Sequence, residues 1–280
     1  MQIAERRGGE IVSADSRQIY RGMDVGTAKP TRTERLHVKH HLIDIADPGE
    51  RYDAARYQRE ARAVLADITR RDRLAIVVGG TGLYVRALLD GLDLEAVPTN
   101  PDVRARLEAE AARGVDLHAR LVDKDPEAAA KVDPRNVRRV IRYLEATLIT
   151  GGVSGRWRRD AAVPAVKIGL APPREWLDQR IGARVRDMIQ RGVLDEAREL
   201  MTRGIDPRLP SMSAHGYVHW FAYLRGEIEI DRAILLTIRD TKAYSRRQMT
   251  WFRRDEAVRW CDPANVDPVA FTSAALADAA

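Results

Sequence analysis

Cysteine is almost absent from this chain of 280 residues: Cys261 stands alone. A lone thiol excludes an intramolecular disulfide and any zinc site built on paired thiolates, and it points to a reducing compartment. Long apolar runs are missing as well. No stretch approaches the roughly 18 apolar residues of a membrane span, and Met1-Gln-Ile-Ala-Glu-Arg-Arg-Gly-Gly9 has no hydrophobic signal segment. A cytoplasmic protein without membrane contact is therefore expected. The histidines form no metal pattern: His40 and His41 are neighbours that would leave opposite faces of a strand, while His118, His215 and His219 lie far away. No protein-built metal site is expected. A Gly-x-x-x-x-Gly-Lys-Ser/Thr phosphate loop, a Gly-x-Gly-x-x-Gly fingerprint and internal repeats are also missing.

What is present is an ordinary globular composition, 45% hydrophobic, with 47 basic against 41 acidic residues and a net charge of +6. Such a surplus suits a polyanionic partner without identifying one. Short β-branched runs, Glu10-Ile-Val-Ser-Ala14, His41-Leu-Ile-Asp-Ile45 and Leu74-Ala-Ile-Val-Val78, alternate with helical patterns, which is the signature of an α/β fold. Val166-Lys-Ile-Gly-Leu170, ending before Pro172-Pro173, suits a last core strand. Asn100 to about Asp133 is rich in Ala, Arg and Glu and lacks any strand signal, so a helical insertion is expected there. Apolar residues recur every three or four positions from Arg174 to Arg203, predicting one helix stopped by Gly204, and another helix is predicted from Asp231 to about Arg253. The expected division is 1–98 for the first part of the core, 99–135 for the insertion, and 136–280 for the rest with its basic C-terminal helices.

Ligands of parallel α/β sheets gather beyond the carboxyl ends of the strands. Ser13-Ala-Asp-Ser-Arg-Gln-Ile-Tyr20 places Asp15 at one such mouth, either as a functional carboxylate or merely as a turn or helix cap. Val78-Gly-Gly-Thr-Gly-Leu-Tyr84 leaves another strand and opens a helix whose free N–H groups would welcome phosphate, or in which Thr81 is simply an N-cap.

Taken together these segments carry a specific resemblance. Asp15-Ser-Arg-Gln-Ile-Tyr-Arg-Gly-Met-Asp-Val-Gly-Thr-Ala-Lys-Pro30, His41-Leu-Ile-Asp44 and Gly79-Gly-Thr-Gly-Leu-Tyr84 resemble the tRNA dimethylallyltransferase (IPP transferase) family in order and spacing. So do Asn136-Val-Arg-Arg-Val-Ile-Arg-Tyr-Leu-Glu145, Arg180-Ile with Arg184-Val, and Thr241-Lys-Ala-Tyr-Ser-Arg-Arg-Gln-Met-Thr-Trp-Phe-Arg253. The resemblance implies a P-loop NTPase-like parallel sheet core with a helical insertion domain. It implies transfer of a dimethylallyl group from dimethylallyl diphosphate to N6 of the adenosine 3′ to the anticodon, with Mg2+ as cofactor. It gives Asp15 the role of base, and Thr81 and Arg104 that of holding the diphosphate. It implies tRNA contacts at Asp15, Ser16, Arg17 and Gln18, at Arg138, Arg139, Val140, Ile141 and Arg142, and at Ser213-Ala-His-Gly-Tyr-Val218. The anticodon stem-loop and dimethylallyl diphosphate are thus the implied partners, with the target base flipped out of its stack and the protein a monomer.

One departure matters. Family members open with a strand and a phosphate-binding loop, and nothing of the kind precedes Glu10 here. The first strand of the core is therefore expected to be missing, Met1 to be internal to a longer reading frame, and the chain as it stands to be poorly stable and feebly active. Three rivals stay open: a transferase acting on free adenine nucleotide, a catalytically inactive tRNA-binding remnant, and a P-loop nucleotide kinase. The Asp15 string has no evident use in the last.

Overall fold

The computed structural model describes residues 1–94, 97–153, 162–213 and 216–279. A short helix, α1 (Gln2–Arg7), leads into β1 (Glu10–Ser13), and all four residues of that strand are buried. α2 (Arg32–His37) begins at a capping box in which Thr31 and Glu34 satisfy each other's backbone N–H groups. β2 (His40–His41) follows, then α3 (Ala54–Arg70), capped by Asp53, then β3 (Ala75–Val78) and α4 (Gly82–Leu89). Four helices come next: α5 (Pro101–Ala112), α6 (Leu117–Lys124), α7 (Pro126–Ala129) and α8 (Val137–Thr150). The chain returns through β4 (Lys167–Leu170), α9 (Arg174–Gln190), α10 (Val193–Thr202), α11 (Tyr217–Leu224), α12 (Ile230–Phe252), β5 (Val258–Cys261) and α13 (Pro268–Ala277).

These elements form two compact units, one of residues Met1–Val85 with Pro164–Ala280, the other Arg86–Val163. In the first, β2, β1 and β3 make a parallel sheet in that order, with β1 central and Ser13 opposite Val78. β4 and β5 make a second parallel pair, from Lys167 opposite Val258 to Leu170 opposite Cys261. The α/β class with parallel strands follows the sequence pattern. β5 does not: Val166–Leu170 is not the last strand, because Val258-Arg-Trp-Cys261 is too short for its pattern to stand out beside the long α12. The expected 174–203 helix is two helices, because the chain turns at Arg191–Gly192, where Gly192 takes a φ of +88°. The turn buries Val193, Ala197 and Leu200 on the second helix.

The second unit is helical among its described elements and wider than the 99–135 insertion. α8 belongs to it because Val140, Ile141, Leu144 and Ala146 share one core with Leu107 of α5, Leu117 and Leu121 of α6, and Ala128 and Ala129 of α7. That stripe on α8 could bury itself only against these helices, which is why the boundary falls after it.

Candidate active site

Two neighbouring strands of the first unit stop together. Ala14 N–H donates to the Val78 carbonyl at 2.8 Å and Thr81 N–H to the Ala14 carbonyl at 3.2 Å, which seams the two strand mouths. A Cβ on Gly79 would lie 2.2 Å from the Ala14 oxygen, and backbone cannot give way, so only glycine fits that seam. Across it, the Thr81 hydroxyl accepts from Ser16 N–H at 3.0 Å and donates to Ser16 Oγ at 3.2 Å. Asp15 and Thr81, one on each strand end, are thereby fixed beside each other.

Asp15 Oδ1 also accepts from Arg17 N–H at 2.8 Å, an Asx turn, which is the turn role that the sequence offered as one of its two readings. Burial pushes its carboxyl above the usual aspartate range, partly opposed by the backbone N–H groups of Arg17 and Gln18. A carboxylate whose charge is poorly solvated is a better base than one in water.

The loop that follows is tied down from two sides. Lys29, only 4% exposed, puts its ammonium on the Tyr20 carbonyl, on Asp24 Oδ1 at 2.7 Å and on Asp44 Oδ1, which uses all three of its protons. Glu196 of α10 accepts from the N–H groups of Val25 at 2.8 Å and Gly26 at 2.9 Å, from Asp24 N–H, and from the Tyr217 hydroxyl at 2.6 Å. Within this loop Gln18 turns inward, its amide donating to the Thr27 and Ala28 carbonyls at 3.4 and 3.3 Å, while Arg17 reaches the Pro210 carbonyl. A cavity of about 750 Å³ opens beside it, lined among others by Ser13, Gln18, Lys29, Val78, Arg180 and Arg184. The last two are exposed arginines one helical turn apart on α9. The sequence assigns them no role beyond their place in the family resemblance; their i, i+4 spacing on the helix that follows β4 is the available signal.

Arg104 and the 138–142 stretch lie in the second unit. Glu145, fully buried, accepts there from Arg104 Nε at 3.2 Å, from Arg142 at 3.2 Å and, through its other oxygen, from Asn100 N–H at 2.8 Å. Arg142 also donates to the Pro98 carbonyl at 2.9 Å. Arg138 and Arg139 are exposed, the latter with its guanidinium 5.6 Å from the centre of the Tyr143 ring. Val140 and Ile141 are 2% and 6% exposed and pack in the core of this unit, so their side chains do not stand on a surface open to RNA; helix periodicity turns them inward. In Ser213–Val218, Ala214 and His215 lie outside the described residues, and Tyr217 is buried as the partner of Glu196.

α12 brings more to the strand mouths than its basic sequence suggests. The Gln248 amide donates to the Gly80 carbonyl at 3.1 Å and the Tyr244 hydroxyl approaches the same oxygen at 3.4 Å. Trp251, 43% exposed, lies against Gly82 and is not a core residue.

The IPP transferase family model matches residues 18–255. The chain belongs to that family. A tRNA dimethylallyltransferase of Thermomicrobium roseum is 46% identical over 266 residues, covering 94% of this chain and 81% of its own length. Among solved structures, the full-length tRNA isopentenylpyrophosphate transferase of Bacillus halodurans superposes with a TM-score of 0.71 at 39% identity, over 99% of this chain and 91% of the other. A eukaryotic dimethylallyltransferase acting on tRNA gives a TM-score of 0.82 at 25% identity, over 98% and 73%. The family assignment agrees with the resemblance carried by the Asp15 and Gly79 strings. Among the described residues no three His, Cys, Asp or Glu side chains gather to hold a metal ion by themselves. The donor set at the strand mouths is nevertheless of hard oxygens, the Asp15 carboxylate and the Ser16 and Thr81 hydroxyls, which suits magnesium carried in on phosphate.

Proposed function

We propose that this chain transfers the dimethylallyl group of dimethylallyl diphosphate to N6 of the adenosine 3′ to the anticodon of tRNAs, releasing diphosphate. The observation that carries the reading is the seam itself: in a member of the IPP transferase family, a poorly solvated carboxylate and a threonine hydroxyl stand side by side beyond two parallel strands.

The chemistry needs such a pair. An adenine N6 lone pair is delocalised into the ring, so attack on the allylic carbon gains from an oriented donor and from a base that removes the amine proton as the new N–C bond forms. Asp15 is that base. Negative charge grows on the diphosphate as the C–O bond breaks, and the Thr81 hydroxyl with Arg104 would meet it, stabilising the departing group more than the bound one. The exposed Arg180 and Arg184 line the neighbouring cavity together with Ser13, Gln18 and Val78, and would add positive charge on that side of the strand mouths. Magnesium, where bound with the donor, would be held by the Ser16 and Thr81 hydroxyls and would supply further charge neutralisation. On the acceptor side, Arg138 and Arg139 offer exposed guanidiniums to an anticodon stem-loop, and the segment Asp15 to Gln18 would meet the flipped base. The protein is read as a cytoplasmic monomer; among the described residues no helix is long and apolar enough to cross a membrane.

The test is a competition. The chain, with dimethylallyl diphosphate and magnesium, is offered an anticodon stem-loop and AMP together, and the products are resolved by mass spectrometry of nucleosides. Dimethylallyl adenosine in the RNA is the expected product. Prenylation of AMP alone would reassign the enzyme to free nucleotides, and RNA binding without transfer would leave only a binding protein.

A further inference from the structure

Gly80 sits between the seam glycine and Thr81, and its φ is not in the left-handed region, so its own backbone would accept a side chain. What excludes one is α12. A Cβ on Gly80 would lie 1.8 Å from Gln248 Nε2, the atom that donates to the Gly80 carbonyl. The Tyr244 hydroxyl approaches the same carbonyl from one turn earlier on the helix. The two residues are i and i+4, hence on one helix face, and that face is turned to the Gly79–Thr81 turn across more than 160 positions of sequence.

We propose that α12 is a clamp on the diphosphate turn: Gln248, assisted by Tyr244, is a positioning residue that fixes the Gly80 peptide and through it holds the Thr81 hydroxyl in register with Asp15. The inference rests on the reading of Asp15 and Thr81 given under Proposed function. It assigns α12 a task distinct from RNA contact. The glycine at position 80 is then a matched half of the clamp, since alanine there would push the amide of Gln248 aside without disturbing the fold. Burial, and next the nearby Asp15 charge, push the Tyr244 phenol up, so it stays a neutral donor at physiological pH. The Arg247 guanidinium lies 5.7 Å from the centre of the same ring.

The experiment is a double-mutant cycle on Gly80→Ala and Gln248→Ala, read as kcat and KM for dimethylallyl diphosphate, as affinity for the anticodon stem-loop, and as melting temperature. Each single variant is expected to lose about tenfold or more in kcat/KM for the diphosphate, because a displaced reactant-holding group loses rate steeply. The double variant is expected to be no worse than the poorer single, with stem-loop affinity unchanged throughout. Tyr244→Phe, which keeps the ring and removes only the hydroxyl, is expected to show a smaller loss of the same kind. Additive losses, or a loss confined to stem-loop affinity, overturn the clamp. Should the unaltered chain transfer no prenyl group, it is the functional reading that fails, and affinity for inorganic diphosphate judges the clamp instead: equal, non-additive losses in the two single variants and the double variant uphold it, and unchanged or additive affinities overturn it.

Discussion

Arg104 and Arg142 share the buried carboxylate of Glu145, whereas Arg138 and Arg139, on the same helix as Arg142 and about one turn earlier, are exposed and face solvent. The resemblance implies a substrate-binding role for all four, the diphosphate for Arg104 and tRNA for the others, yet they are prepared differently. The held pair keeps only 18% and 23% of its side-chain surface exposed and is oriented before any ligand arrives, at the expense of half its charge. The exposed pair keeps its full charge and must be ordered on binding. Oriented cations suit a small, geometrically demanding diphosphate; mobile ones suit an RNA backbone that is met mainly as a line of charge.

Four outcomes would break or sharpen this contrast. The largest effect is expected at the strand mouths and gives the scale for the rest: Asp15→Asn should lower kcat by about 10²- to 10⁴-fold, the usual contribution of a positioned base, while stem-loop affinity stays within the error of a titration. Next is Glu145→Ala, which leaves two partly buried guanidiniums and the Asn100 N–H without their acceptor; a loss of about 3 kcal/mol in urea unfolding is expected, and a neutral result would show that the pair is not held by Glu145 at all. Smaller again, Arg138→Ala and Arg139→Ala should leave the unfolding midpoint unchanged. Each should weaken stem-loop binding and lower the slope of log K against log salt by about 1, and a salt-independent loss would mean that these residues do not meet phosphate.

The smallest effect concerns the floor of the sheet. Glu10 is 3% exposed at the start of β1, bonded to Arg71 and to His41 at 2.7 Å. The Arg71 guanidinium, chiefly, holds its carboxyl down from 4.5 to about 2 against the opposing effect of burial. A lowered carboxyl stabilises the folded state fully above about 4.5 and loses that contribution as pH falls towards about 2. Glu10→Gln should therefore lower stability by a constant amount above about 4.5 and flatten the acid limb of the stability curve between about 4.5 and about 2, where the parent loses that same contribution.

Much of the first unit was legible because its information is local. The β-branched runs, the glycines after Val78 and the Asp after Ser13 each declare a strand end, and a parallel sheet brings strand ends together by rule. What could not be read is what depends on distant arrival. Glu145 looks like the solvent face of an amphipathic helix until Asn100, Arg104 and Arg142 converge on it, so neither its burial nor the pairing of Arg104 has a local sign. Val140 and Ile141 sit within a string of arginines, but helix periodicity turns their side chains into the core and leaves Arg138 and Arg139 outside. Gln248 sits inside a string so rich in arginine that charge conceals the one neutral amide reaching Gly80. The turn at Gly192 has no local sign either, because apolar residues recur at helical spacing on both sides of it.

The pH dependence of single-turnover transfer to an anticodon stem-loop tests the account most directly. If Asp15 is the base, the rate rises with pH along an acid limb whose midpoint lies above the ordinary aspartate value of 3.8, because burial raises that carboxyl, and the limb disappears with the activity in Asp15→Asn. An acid limb that survives unchanged in Asp15→Asn, with substantial turnover, would contradict it.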